Sequence, residues 1–464
     1  MIIMSFVTCL LIFIVIGILS NFKNQHNSFD YLLAGHNVKP WLVALSAVAT
    51  NNSGYMFVGM IGYTYAVGLS SMWLLFGWIL GDFFASLFIH ERLREITEKE
   101  NAYSFVGVLS RWHGNNYKNF RLIGGIITLA FLGTYAAAQL SAGSKALHVL
   151  LGWNYSAGAV IGSVMVLLYC YSGGIRASIW TDAAQSFVMV LSMSLLVFVG
   201  VKEVGSISQL ITELNLVSPT YMNFFPSDLL FGEFFGPILF IGSWMFAGFG
   251  VVGQPHIMVR FMAMDKPQNM NRVRFYYYSW YCVFSFLTIS AGLLARLLLP
   301  DTDTFDTELA LPALSLQLLP EILVGLILAG LFAATMSTAD SQILSCSATI
   351  TRDFTDDKKS SYLKIKLSTL FVTIIALIIA LSGTKSVFSL VIVAWSALAC
   401  AFAPIMTIYV LGGKPSERLT ICMVITGIGV MLLWRYLGLN DAIYEVAPGI
   451  LAGLISYWVL QEKV

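Results

Sequence analysis

Ala47-Val48-Ala49-Thr50-Asn51-Asn52-Ser53-Gly54 lies in the middle of an apolar run that extends from about 39 to 66. Small and polar residues, several of them poor helix formers, stand where a membrane-crossing helix would be deepest. Unmet backbone groups are costly in hydrocarbon, so such a segment is tolerated only where its backbone faces protein or water. Two readings are open. An unwound helix exposes carbonyl oxygens to a hard cation and N–H groups to a carboxylate; alternatively, Ser and Asn make a polar helix–helix contact.

The surrounding sequence says why lipid is the main solvent. Of 464 residues, 58% are hydrophobic and only 11% charged, with a mean hydropathy of +0.79, whereas a soluble domain is roughly 25% charged. About 20 helical residues cross a hydrocarbon core of ~30 Å. Apolar runs of that order recur near 2–21, 39–66, 69–90, 121–151, 154–172, 178–204, 230–262, 273–299, 317–352, 362–383, 386–411, 417–437 and 442–461. The expected fold is therefore an all-α integral membrane protein of about thirteen transmembrane helices. The longest polar gap, roughly 90 to 121, leaves no room for a soluble domain. Residues 1–20 lack a basic n-region and a clear small-x-small cleavage site, so they read as a first span rather than a signal peptide.

A formal net charge of +1 gives no bulk reason to expect nucleic acid as a partner, and no obligatory protein partner is evident. Cys9, Cys170, Cys282, Cys346, Cys400 and Cys422 fall in apolar stretches without metal-ligand spacing and read as thiols on helix surfaces.

Charge position says more than the sum. Connections after odd-numbered spans carry Lys23 and Lys39; Arg92, Arg94, Arg111, Lys118 and Arg121; Arg176; Lys266, Arg272 and Arg274; Arg352, Lys358 and Lys359; and Lys414 and Arg418. Those after even-numbered spans are nearly free of basic residues, and one holds Asp301, Asp303, Asp306 and Glu308. The positive-inside rule then places the N-terminus outside and the C-terminus in the cytoplasm of a multi-pass protein of the cell (inner) membrane. Dropping or adding a span breaks the alternation. Trp41, Trp73, Trp153, Trp180 and Trp458 lie near span ends, either as interface anchors or as ordinary packing aromatics.

A second interrupted span is expected at 230–262, through Gly236-Pro237, then Gly242, Gly248, Gly250 and Gly253, then Gln254-Pro255-His256. Two broken spans separated by four intact ones point to inverted five-helix repeats; the same residues also suit helix packing and kinks. In the ninth span Ala334, Ser337, Thr338 and Ser341 stand at i, i+3, i+4 and i+7, so one face presents a row of hydroxyls. Oxygen is the ligand a hard cation such as sodium prefers, although such hydroxyls can equally be back-bonded at a packed interface. Asp340 and Asp182 are intramembrane carboxylates and so functional candidates; Asp182 also stands where it could offset a helix dipole.

In order and spacing, Asp30-Tyr31-Leu32-Leu33-Ala34-Gly35, Leu45-Ser46-Ala47, Gly173-Gly174 with Trp180-Thr181-Asp182, Gly253-Gln254-Pro255-His256-Ile257 with Arg260-Phe261-Met262, and Met336-Ser337-Thr338-Ala339-Asp340-Ser341-Gln342 resemble the sodium/solute symporter family, most closely its sodium/proline branch. The resemblance implies an extra first helix (1–22), inverted repeats at 39–204 and 230–411, and two C-terminal helices within 417–461. It implies a sodium site at Ala49, Asn52, Ala334, Ser337 and Thr338, and a second at Asp182, Ser337, Asp340 and Ser341. For the solute it implies Asn51, Ser53, Tyr55, Tyr135, Ala247 and Val251. Proline symporters carry an aspartate and a tryptophan where this chain has Asn51 and Tyr55, and a tryptophan and a tyrosine at Ala247 and Val251. The last two exchanges are expected to enlarge the solute pocket.

The resulting expectation is a sodium-coupled symporter that imports a small organic solute, an amino acid such as proline or a related compound, with Na+ as co-transported ion, the lipid bilayer as solvent and no cofactor. The alternatives are a sodium-independent or proton-driven carrier using Asp182, Asp340 or His256, and a transporter-like membrane sensor. No nucleophile–base pair or metal cluster argues for an enzyme.

Overall fold

In hydrocarbon a helix meets every backbone group within its own segment, and the apolar runs are accordingly helical in the computed structural model. It describes residues 1–464 except 24, 228, 230, 300–304, 356–360, 383–386, 442 and 462–464. Asp301, Asp303, Lys358 and Lys359, and the expected span ends at 230, 383, 386 and 442, lie outside the described residues.

The long elements are α1 (Ile2–Ser20), α2 (Pro40–Tyr55), α3 (Ile61–Val67), α4 (Met72–Phe88), α5 (Lys118–Leu151), α6 (Tyr155–Val204), α7 (Gly232–Phe249), α8 (Pro255–Met262), α9 (Met270–Leu298), α10 (Glu321–Arg352), α11 (Tyr362–Ser382), α12 (Val387–Val410), α13 (Glu417–Tyr436) and α14 (Val446–Leu460). The polar gap after α4 holds two further helices, His90–Lys99 and Phe105–Arg111, the second capped by the Ser104 hydroxyl.

Among the described residues, ten helical runs are long and apolar enough to cross a membrane. Two of them, Pro40–Phe88 and Tyr155–Val204, have 49 and 50 residues, more than twice the ~20 that one crossing needs. Each contains a sharp break at a glycine with positive φ, Gly68 (φ 79°) and Gly174 (φ 58°). A side chain at Gly174 would run into the Tyr31 carbonyl. These breaks fall where the sequence separates its second span from its third and its fifth from its sixth. The last helix, α14, has only 15 residues. Thirteen crossings thus remain the expectation from sequence, and ten the number that length and hydropathy give.

Buried polar side chains concentrate at the centre of a largely apolar bundle. Central α10 is buried along most of its length against α1, α2, α5, α6 and α11, although it carries Thr335, Ser337, Thr338, Asp340 and Ser341. Peripheral α1, α11 and α13 expose Leu11, Phe371 and Ile425. Lipid tails give helices no hydrophobic reason to associate, so close approach of small residues matters more. Gly77 and Gly81 of α4 pack against Trp244 and Met245 of α7, and Gly248 of α7 against Trp78 of α4.

The basic connections gather at one end of the bundle. Arg94 donates to the carbonyls of Met264 and Asp265, at 2.6 and 3.2 Å. Arg92 reaches the Val410 carbonyl at 3.1 Å, and the Phe120 N–H donates to Glu417 at 3.1 Å. Arg176 pairs with Asp30, and Ser104 donates to Asp353 at 2.5 Å. Lys145 pairs with Glu308, and the N-terminus with Glu321, among a different set of connections.

Candidate functional site

The interruption in the second span has a specific place. Ser53 takes φ 50°, ψ 179° inside α2, a conformation that costs a non-glycine residue on the order of 1–3 kcal/mol. Its neighbours hold it there. The Gly54 N–H, released from the helix ladder, donates to Gln139 Oε1 at 2.9 Å. Ser53 Oγ accepts from the Tyr55 N–H at 3.1 Å and from the Tyr135 hydroxyl at 3.4 Å. A π-helical turn, Met56–Met60, then leads into α3.

The hydroxyl row of α10 meets α2 just before this break. Ser337 Oγ donates to the carbonyls of Ala334 and Ala49, at 3.1 and 3.3 Å. Thr338 Oγ1 donates to those of Ala334 and Thr50, at 3.1 and 3.0 Å. Thr50 Oγ1 stands 3.0 Å from Ser341 Oγ. Asn52 spends its amide N–H on the Val48 carbonyl, while its buried Oδ1 has no hydrogen-bond partner among the described residues. Ala49, Asn52, Ala334, Ser337 and Thr338 are all at most 1% exposed. The Ser337 and Thr338 contacts at 3.3 and 3.0 Å join the two helices by direct hydrogen bonds.

One turn further along α10 a charged cluster is buried. The guanidinium of Arg260, from α8, donates to Ser178 Oγ at 2.5 Å and to Ser341 Oγ, and pairs with Asp182 at 3.3 Å and Asp340 at 3.4 Å. Its Nε donates to Ser46, which in turn donates to Asp182 at 2.6 Å, and its Nη1 to the His256 carbonyl at 3.2 Å. Asp182, Ser337, Asp340 and Ser341, expected to share a cation, are therefore neighbours, with an arginine among them. Asp182 Oδ1 and Asp340 Oδ2 have no partner among the described residues. Arg260 was visible in the sequence only as part of Arg260-Phe261-Met262. A basic residue at the end of an interrupted span was the signal that could have given it a role.

The expected solute residues are all buried. Ser53 and Tyr135 touch directly, and Asn51 donates to the Tyr277 hydroxyl at 2.7 Å. Tyr55 lies against Trp78 (ring centroids 6.2 Å), Trp78 against Trp395 (4.9 Å), and Trp395 Nε1 donates to the Ala247 carbonyl at 3.4 Å. Trp395 from α12 thus lies beside the backbone of Ala247. Val251 lies in a 3-10 turn, Gly250–Gly253, that packs on α12. That turn and the extended Gln254 (φ −97°, ψ 102°) are where the seventh span breaks. Gly236-Pro237 stays helical.

Known proteins resemble this chain in family, sequence and fold. The model described as the sodium:solute symporter family matches residues 31–418. The high-affinity proline transporter of Bacillus subtilis is 30% identical over 94% of this chain and 92% of its own length. Sodium/proline symporter 2 of Staphylococcus saprophyticus is 28% identical over 94% and 88%. Among solved structures, a Na+-coupled sialic acid symporter in a substrate-bound outward-open state matches with TM-score 0.82 at 18% identity, covering 100% of this chain and 98% of that one. A nucleobase–cation symporter in a closed conformation matches with TM-score 0.62 at 13% identity, over 94% and 96%.

Proposed function

The chain belongs to the sodium:solute symporter family, a multi-pass membrane transporter and not an enzyme, and from that premise we propose that it imports proline or a related amino acid together with sodium. Sodium binds among the Ala49 and Ala334 carbonyls, Asn52, Ser337 Oγ and Thr338 Oγ1. The observation that carries this reading is the approach of the two α10 hydroxyls to the Ala49 and Thr50 carbonyls, just before the Ser53 break. Binding there ties α2 to α10 and steadies the strained segment, which presents Asn51, Ser53 and Tyr55 to the solute beside Tyr135, Ala247 and Val251. Inverted repeats at 39–204 and 230–411 then rock about the site.

At Asp182 and Asp340 a single guanidinium faces two carboxylates. A second sodium, held with Ser337 and Ser341, restores neutrality. Clustering of the basic connections at one end supports an N-terminus outside and a C-terminus in the cytoplasm of the cell membrane.

One sodium ion moving through ~100 mV releases ~2.3 kcal/mol, and a tenfold gradient adds ~1.4. Together these sustain several-hundred-fold accumulation. Uptake of labelled L-proline into proteoliposomes, with sodium and pH varied independently, is expected to follow the sodium gradient at constant pH. Uptake that follows the proton gradient and ignores sodium would instead assign coupling to Asp182, Asp340 or His256.

A further inference from the structure

Asp82 has no part in the sites described so far. It lies on α4, fully buried, one turn after Trp78 and one turn before Ser86. The phenols of Tyr277 and Tyr278 stand beside its carboxyl and are the donors within reach of it, and neither oxygen has another partner among the described residues. The Tyr277 oxygen accepts from Asn51 Nδ2 at 2.7 Å, and Asn51 Oδ1 is also buried and unpartnered. Asp82 and Asn51 thus meet at one tyrosine, with the phenol hydroxyls of Tyr277 and Tyr278 as the donors at hand and no cation beside the carboxyl among the described residues.

No ion pair joins Asp82 to a basic side chain among the described residues. Arg274 donates to the Ser86 carbonyl at 2.8 Å, and Arg260 is held by Asp182 and Asp340. A carboxylate buried among membrane helices is costly unless a cation or proton meets it. The walls say which. Trp78, one turn before Asp82, lies between Tyr55 and Trp395 (ring centroids 6.2 and 4.9 Å), and Tyr281 lies 6.0 Å from Tyr277. Aromatic faces and open acceptors suit an organic ammonium group, which brings its own N–H donors or a diffuse charge. A bare alkali ion needs a shell of oxygens.

Resting on the symport reading above, we propose that Asp82, together with Asn51, receives the positively charged nitrogen of the transported solute. Asn51 is neutral where proline symporters carry an aspartate, and Asp82 supplies the negative charge from the neighbouring helix. The substrate class is thereby narrowed to small carboxylates bearing a cationic nitrogen.

The test uses purified protein in proteoliposomes and two pairs of probes differing in the charge at one position: L-proline with cyclopentanecarboxylate, and glycine betaine with 3,3-dimethylbutyrate. Wild type is expected to take up the cationic member of at least one pair about tenfold or more faster than its neutral counterpart. Asp82→Asn loses that preference and needs about tenfold more of the cationic probe for half-saturation, while Asp82→Glu recovers part of the uptake. The rise in thermal midpoint caused by sodium alone persists in Asp82→Asn, which also shows that the variant is folded. Equal uptake of both members by wild type, or an unchanged preference in Asp82→Asn, overturns the proposal. So does loss of the sodium-induced rise in a monodisperse Asp82→Asn, because the carboxylate then serves the ion. A wild-type sodium response without uptake of either cationic probe overturns this proposal and leaves symport standing; neither response nor uptake removes the symport reading itself.

Discussion

Ser337 on α10 directs its hydroxyl at the Ala49 carbonyl oxygen of α2 from 3.3 Å, across 288 residues of sequence. The same hydroxyl reaches the Ala334 carbonyl at 3.1 Å, so its proton links oxygens of both helices. If sodium takes the proton's place between them, removing the hydroxyl removes one ligand, worth about 1.5–3 kcal/mol as an ion-directed contact. Ser337→Ala and Thr338→Ala are each expected to raise the half-saturating sodium concentration roughly tenfold or more. Uptake measured against sodium at fixed solute checks this, and unchanged sodium curves for both variants would remove the site.

Arg260 is fully buried between Asp182 and Asp340. Taking away one partner of a buried ion pair leaves an uncompensated charge, at about 3–5 kcal/mol. Arg260→Gln is therefore expected to lower the unfolding midpoint sharply, and Arg260→Gln with Asp182→Asn to regain a substantial part of the loss. A double variant no more stable than the single one would mean that the guanidinium acts mainly through its serine contacts.

What could be read in advance followed periodicity and composition. The row at Ala334, Ser337, Thr338 and Ser341 is a spacing argument, and the helix preserves it. The kink in the second span was legible as a region but not as a residue. Ser53, rather than Gly54, takes the positive φ, because Gln139 captures the Gly54 N–H from a helix about 85 positions away. The seventh span offered two breaks, and only the one at Gly250–Gln254 is used. Pro237 lies inside α7, and the helix continues through it. Asp82 went unnoticed as one acid in the apolar run of α4, although its cost in that setting was itself the signal.

Gly54 tests whether the broken segment must lie flat on α10. A β-carbon there would come within 2.5 Å of Thr335 Cγ2 and 3.0 Å of Gln139 Oε1. Gly54→Ala is expected to wedge α2 from α10, lowering both transport rate and sodium affinity. Adding Thr335→Ser removes the clashing methyl and is expected to restore part of both. Wild-type sodium dependence in Gly54→Ala alone would show that α2 and α10 need not meet so closely.

Asp353 links the end of α10 to the connection after α4. It is 3% exposed, and its carboxyl accepts from Ser104 Oγ at 2.5 Å. Burial pushes the group up to about 7, against the opposing pull of the Ser104 and Thr349 hydrogen bonds and of Arg121 and Arg111. In the unfolded chain an aspartate titrates near ~3.9, so the folded protein holds this proton more tightly. Its contribution to stability is complete below the unfolded value, declines as pH rises toward 7, and changes no further above that. Asp353→Asn mimics the protonated acid and can still accept from Ser104. Wild type and variant should therefore unfold at similar temperatures near pH 4, with the variant increasingly the more stable up to about pH 7 and the difference constant from there to pH 8. Parallel curves over that range would mean that Asp353 is ionised throughout and held by the arginines instead.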